Sequence, residues 1–219
     1  MKRKADIIAM LKAQIANGTF RIKHLKSFET ADGPKIRTVQ APSVIERVGS
    51  NAIMEIVEKH LAPILIDNTA ASIEGRGPHG LYHKMQEARR NNSKLIYYYQ
   101  SDYKGYYDHI LHDRLIEIIK RYIADPVLLP ILIDFVKALH PNGNVGISKG
   151  LRSSQFFGNL YHNDIDHIME EVCGKDRYFR FCDDIYILGE EKKTLWKCRD
   201  RLHEESTPYN LIILNSATL

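Results

Sequence analysis

The chain has 219 residues, 44% of them hydrophobic and 26% charged, an ordinary globular balance that argues against disorder and allows one large domain or two interleaved lobes. No apolar run approaches the roughly 18 residues of a membrane span, and Met1-Lys2-Arg3-Lys4-Ala5-Asp6 leads into an amphipathic pattern rather than an apolar signal core, so a soluble intracellular protein is expected. A formal charge of +4 and a pI near 8.8 permit a polyanionic partner without requiring one, and Cys173, Cys182 and Cys198, with no CxxC spacing, argue against a disulfide framework or structural zinc.

Ile7, Ile8, Leu11 and Ile15 recur at helical spacing, which predicts a helix over 5–17 stopped by Gly18. From Thr19 to Gln40, β-branched and aromatic residues flank Ala31-Asp32-Gly33-Pro34, the pattern of a hairpin. Lys23, Lys26, Lys35 and Arg37 lie in this region, and with Lys2, Arg3, Lys4 and Arg21 they crowd positive charge toward the N-terminus. Such a surface suits phosphate; solvated side chains are the plain alternative. Ser43-Val44-Ile45-Glu46 has capping-box spacing, and Val48, Ile53, Ile56, Val57 and Leu61 continue a long helix to about residue 61.

The Gly-rich run over 70–80 reads as a loop leading into a helix over 80–91, and Leu95 to Asp102 as a buried strand with an acid at its C-terminal end. Helices over 110–123, 126–138 and 153–172 follow, then a hairpin over 177–189, a helix from 190 to about 205 and a last strand over 211–214. This order contains a β-α-β-β-α-β arrangement, an antiparallel sheet backed by helices in an α+β fold. His109 and His112 lack a partner cluster and read as exposed polar groups, and His162 and His167 fit an outward helix face.

Between Arg177 and Gly189 the adjacent acids Asp183 and Asp184 interrupt a strand-like stretch. Asp is depleted from strand interiors, so the pair marks a turn whose repulsion a cation or a proton must relieve. With the strand ending at Asp102 beside that hairpin, three carboxylates would converge on one sheet edge, a donor set suited to Mg²⁺. Two such ions activate a 3′-hydroxyl and stabilise a leaving pyrophosphate. The residues alone equally allow a plain turn, with Asp102 as a helix cap.

Ser101-Asp102-Tyr103-Lys104-Gly105-Tyr106-Tyr107-Asp108 resembles the first catalytic motif of reverse transcriptases, in the form common among bacterial enzymes. Gly146 to Tyr161, ending in Ser154-Gln155-Phe156-Phe157-Gly158-Asn159-Leu160-Tyr161, is similar to their second palm motif as found in retron-like and diversity-generating retroelement enzymes. Arg177 to Leu188 is similar to their aromatic-x-Asp-Asp motif, and Lys35 to Pro42, through Arg47, to the fingers segment that grips template and triphosphate. The resemblance implies a right-hand polymerase with fingers over 1–94 and palm over 95–219, finger helices inserted at about 110–150, and a thumb largely absent.

It further implies that Asp102 and Asp183 bind both of two Mg²⁺ ions, replaceable by Mn²⁺, that Asp184 supports one, and that the Tyr103 carbonyl adds a ligand. Tyr107 falls beneath the sugar, where an aromatic ring would exclude a 2′-hydroxyl; core packing is the alternative, since one of Tyr106 and Tyr107 must be buried. Lys35, Arg37 and Arg47 are the implied contacts of triphosphate and template backbone, with pairing to Glu46 or Asp67 the alternative for Arg47. Lys149 and Gly150 fall near the templating base pair, and Arg76, Ser154 and Gln155 along the nucleic acid, Arg76 being otherwise a solvated loop residue. Lys149 departs from the family's usual Gln or apolar residue, and Cys182, in place of Ala or Val, is expected to pack as a small hydrophobe.

The implied activity is RNA-directed DNA polymerisation with an RNA template, a DNA or RNA primer and deoxynucleoside triphosphates. The implied setting is a cytoplasmic bacterial or phage-associated retroelement or antiviral defence system, with no membrane partner. Two alternatives stand beside it: a non-catalytic nucleic-acid-binding module derived from such an enzyme, and an RNA-dependent RNA polymerase, which Tyr107 disfavours.

Overall fold

The computed structural model describes residues 4–23, 25–33, 35–138, 140 and 143–214, without the side chains of Asp32, Lys35 and Arg37. The chain divides into two units, Met1–Leu61 with Leu111–Phe157, and Ala62–Ile110 with Gly158–Leu219. Segment 62–94 falls in the second of these units.

In the first unit, α1 (Lys4–Ala16) ends before Gly18, whose φ of 65° is a left-handed turn that a side chain would resist. β1 (Leu25–Asp32) and β2 (Lys35–Pro42) form the expected hairpin, antiparallel, with Asp32 opposite Lys35 and Leu25 opposite Pro42. α2 (Val44–Leu61) starts at the capping box: Ser43 N and Oγ donate to Glu46 Oε2 at 3.0 and 2.7 Å, and Glu46 N donates back to Ser43 Oγ at 3.4 Å. Glu46 Oε1 also accepts from Lys23 N at 2.8 Å, so one buried carboxylate fixes both the helix start and the segment before the hairpin.

α5 (His112–Tyr122) and α6 (Leu128–Lys137) bury Leu115, Ile119, Ile131, Leu132 and Phe135. Asp125 starts α6 by accepting from Val127 N and Leu128 N, both at 2.8 Å. Phe20 packs edge-on to Phe135 with ring centroids 6.0 Å apart, and it lies over Gly49, where a Cβ would come within 2.4 Å of the ring. The helix expected over 110–123 is shorter, because Ile110 and Leu111 are extended and separate α5 from a single turn, α4 (Tyr106–His109).

The second unit is built on a sheet of β3 (Tyr97–Tyr103), β4 (Tyr178–Phe181), β5 (Asp184–Gly189) and β6 (Ile213–Leu214), in the order β4-β5-β3-β6 with every pairing antiparallel. This is the antiparallel sheet backed by helices that the sequence predicts. Along β3, Tyr99, Ser101 and Tyr103 are buried while Tyr98, Gln100 and Asp102 are half-buried, the period-two pattern of a strand with one closed face. The closed face meets α7 (Arg152–Cys173) and α8 (Lys192–Ser206): Tyr103 Oη lies 2.8 Å from His162 Nε2 and 2.7 Å from Ser206 Oγ. α3 (Pro78–Asn91) covers one end of the other face, where Leu81 and Ala88 cluster with Phe179 and Leu188.

Two histidines depart from expectation. His112 and His162 are fully buried rather than exposed. The Nε2 of His112 lies 2.6 Å from the Gly146 carbonyl oxygen, and His162 sits on a stretch of α7 buried nearly all round, where Tyr103 and Asp166 meet its two ring nitrogens. His167 is exposed as expected. The three cysteines are free thiols. Among the described residues no helix is long and apolar enough to cross a membrane.

Candidate active site

β4 and β5 join through a two-residue turn, Cys182-Asp183, closed by Phe181 opposite Asp184. The adjacent acids are thus divided: Asp183 belongs to the turn and Asp184 begins β5. Cys182 has φ 58°, a left-handed backbone that costs a non-glycine residue on the order of 1 kcal/mol. Ser101 lies opposite Ile185, and the next residues along that register are Asp102 and Asp184. Both are on the half-buried face with Gln100 and Tyr186, whose Nε2 and Oη are 3.4 Å apart.

Burial, then the Asp183 and Asp102 carboxylates, push the Asp184 carboxyl above its ordinary value. The strand register thus brings Asp102, Asp183 and Asp184 to one edge of the sheet. Among the described residues no group of three or more His, Cys, Asp or Glu side chains is gathered tightly enough to hold a metal ion. In kind, however, the donors fit a hard divalent cation: all are carboxylates, and the charge of one is disfavoured by burial and by the other two. Beside them a cavity of about 610 Å³ opens between α3 and the sheet, lined by Tyr82, Tyr98, Gln100, Phe181 and Tyr186 among others.

Gly105, at φ 56°, turns the chain from β3 into α4. Tyr106 is buried and donates its Oη to the Gly158 carbonyl at 2.7 Å, while Tyr107 is half-buried with Oη 3.1 Å from Cys182 Sγ. Their rings meet edge to face with centroids 5.5 Å apart, and a Cβ on Gly158 would stand 3.2 Å from each. Burial, then Cys182 and Asp183, hold the Tyr107 phenol well above its ordinary value. Cys182 is therefore more than a small hydrophobe. Its thiol is bonded to Tyr107, and burial raises it despite that bond.

Beneath the hairpin lies a group that sequence reasoning missed. Arg180 is fully buried. Its Nε donates to Asp166 Oδ1 and Oδ2 at 2.9 and 3.1 Å and its Nη2 to Oδ2 at 2.6 Å. Its Nη1 donates to Asn159 Oδ1 at 3.1 Å and to the Cys182 carbonyl at 2.7 Å. Asp166 also accepts from Tyr178 Oη at 2.8 Å and lies 2.9 Å from His162 Nδ1. Burial alone would raise the Asp166 carboxyl, but Arg180 and His162 outweigh it and hold the group well below the usual carboxylate range. The available signal was an arginine in the apolar run Tyr178-Phe179-Arg180-Phe181.

The remaining candidates fare variously. Tyr103 turns its side chain into the closed face. Arg76 is half-buried, and its Nη1 donates to the Ile66 and Thr69 carbonyls at 2.5 and 3.1 Å, pinning the loop. Ser154 is 1% exposed, whereas Gln155, Lys149 and Arg47 are exposed. Gly150 has a packing reason, since a Cβ there would meet the Gln40 carbonyl oxygen at 1.7 Å. The side chains of Lys35 and Arg37 lie outside the described part of the structure.

The profile of the family described as reverse transcriptase (RNA-dependent DNA polymerase) matches residues 29–216. A comparison with curated protein sequences gives no match. Apo telomerase from Candida tropicalis, truncated from its C-terminal domain, is similar with a TM-score of 0.71 at 11% identity, over 90% of this chain and 50% of that one. Telomerase from Candida albicans in complex with a TWJ fragment of telomeric RNA gives 0.67 at 10% identity, over 99% and 46%. The chain spans about half the length of these structures, and the likeness concerns the fold.

Proposed function

Because the chain belongs to the reverse transcriptase (RNA-dependent DNA polymerase) family, matched over residues 29–216, we propose that it adds deoxynucleotides to a primer 3′-hydroxyl on an RNA template. The observation that carries this reading is the placement of Asp102, Asp183 and Asp184 at one edge of an antiparallel sheet, with the Asp184 carboxyl raised by burial and then by the other two. Asp102 and Asp183 would hold both of two Mg²⁺ ions, or Mn²⁺ in their place, and Asp184 one of them. When bound, the ions supply activation of the 3′-hydroxyl and neutralisation of the leaving pyrophosphate.

The chain's own residues orient the substrates. Tyr107, its Oη tethered to Cys182, is assigned to the place beneath the sugar, where its ring would exclude a ribose 2′-hydroxyl and so favour deoxynucleotides. Lys35, Arg37 and Arg47 are assigned to the triphosphate and template backbone, and Lys149 and Gly150 to the templating pair. For contact along the nucleic acid, exposed Gln155 is favoured over buried Ser154 and loop-bound Arg76. In this reading the second unit's sheet is the palm, and the first unit carries fingers. The bacterial form of the Asp102–Asp108 motif favours a cytoplasmic retroelement or defence setting in a bacterium or phage.

Primer extension on an RNA template, with deoxynucleotides and ribonucleotides in parallel, tests the reading. Extension with deoxynucleotides is expected, falling to background in Asp183→Asn while template–primer binding persists. Absence of incorporation by the wild type would leave a binding module, and a preference for ribonucleotides would leave an RNA polymerase.

A further inference from the structure

We propose that Arg180 is a positioning residue for the acidic hairpin: its guanidinium holds the Cys182-Asp183 turn in the geometry that sets Asp183 beside Asp102 and Asp184. The inference rests on reading that edge as a nucleotidyl-transfer metal site. Cys182 is one of three non-glycine residues at positive φ among those described, and its left-handed backbone is intrinsically disfavoured. The Nη1 of Arg180 donates to the carbonyl of this same residue at 2.7 Å.

The fork that makes this bond is itself immobilised. Asp166 takes Nε and Nη2, and Asn159 shares Nη1 while its own Nδ2 donates to the Ala71 carbonyl at 2.6 Å. Two residues of α7 thus aim a rigid planar donor at the turn. Stability alone is a weak reason for such a pair, because apolar residues of similar volume often replace a buried ion pair without loss. An apolar side chain would fill the space but leave the Cys182 carbonyl unheld. Lysine would keep the charge opposite Asp166, yet its one nitrogen, for all its three donors, cannot stand at the separate positions from which Nε, Nη2 and Nη1 reach Asp166 and the turn.

The test measures primer extension by the full chain across a Mg²⁺ series. R180K should raise the Mg²⁺ concentration for half-maximal extension about tenfold or more, the effect of losing a group behind a metal ligand. Template–primer affinity and circular dichroism should stay as in the wild type. Adding C182G lets the turn adopt its backbone without a side-chain penalty and should recover about fivefold of that loss; a merely structural Arg180 gives no recovery. R180M/D166N guards against misfolding, since it removes both charges at once, leaves an amide oxygen for Tyr178, and should show the same Mg²⁺ shift. A folded variant of either kind with the wild-type Mg²⁺ response overturns the proposal, as does failure of both to fold. D183N, run alongside, separates the two ideas: extension by D183N sinks the metal-site reading, whereas loss in D183N with an unaltered R180K sinks only the positioning role.

Discussion

Gly150→Ala isolates one close approach on which the second palm-like motif depends. Gly150 is exposed and is not among the residues at positive φ, so its torsions make no demand for glycine. The demand comes from β2: a Cβ would stand 1.7 Å from the Gln40 carbonyl oxygen, 2.7 Å from its carbon and 2.8 Å from Val39 Cγ1. Ordinary contact begins at 3.4 Å, so loop or strand must give by well over an ångström. Neither gives cheaply. β2 is locked in register with β1 from end to end, and Ser148 Oγ, 3.4 Å from Gly150 N, donates to Gln40 Oε1 at 3.3 Å. Overpacking of this kind costs about 1–3 kcal/mol. At roughly 2–4 °C per kcal/mol for a chain of this size, G150A should melt about 2–12 °C below the wild type in a circular-dichroism scan. The control is G80A, at an exposed position in the first turn of α3 with nothing within 4 Å of its Cβ; it should match the wild type or melt slightly higher. G150A melting within about 1 °C of the wild type would refute the steric argument.

Two further outcomes probe the acidic edge. The Asp184 carboxyl is raised in the folded chain, so the native state holds its proton more readily than the unfolded state, and stability falls as pH rises through that raised value. D184N should therefore raise Tm at pH 7, with a gain that fades toward pH 4, and Mg²⁺ should stabilise the wild type more than the variant. An unchanged or lower Tm for D184N at pH 7 would contradict a cost to the Asp184 charge from burial and its acidic neighbours. Y107A removes the ring from beside Gly158 and Cys182, and competing nucleotides in the extension assay should show sugar discrimination reduced about tenfold or more. An unaltered ratio would take Tyr107 out of that role.

Much of the architecture was legible because the signals were local. The Ser43–Glu46 box, the turn at Gly33, the alternation from Tyr97 to Tyr103 and the misplaced acids at 183 and 184 each speak through near neighbours in sequence. What stayed hidden depended on distant partners. The turn is Cys182-Asp183 rather than the two acids, because the pairing of Phe181 with Asp184 is decided by strand register, which composition does not encode. His162 was misplaced because an outward polar face was assumed for a helix whose polar residues are answered from two strands and from within the helix itself. Gly150 shows its need for a missing side chain only once β2 lies against it.

The closed face of the sheet also shapes the electric field of the acids in front of it. Behind Asp102 and Asp184 lie the fully buried rings of Tyr99, Tyr103, Tyr161 and Tyr178, and the Arg180–Asp166 pair contributes no net charge. This backing is a low-dielectric interior that excludes water, whereas the half-buried face is open to solvent and ions. Mobile counter-ions can screen the three carboxylates only from the front, so their attraction for a cation is one-sided and directed outward through the open face.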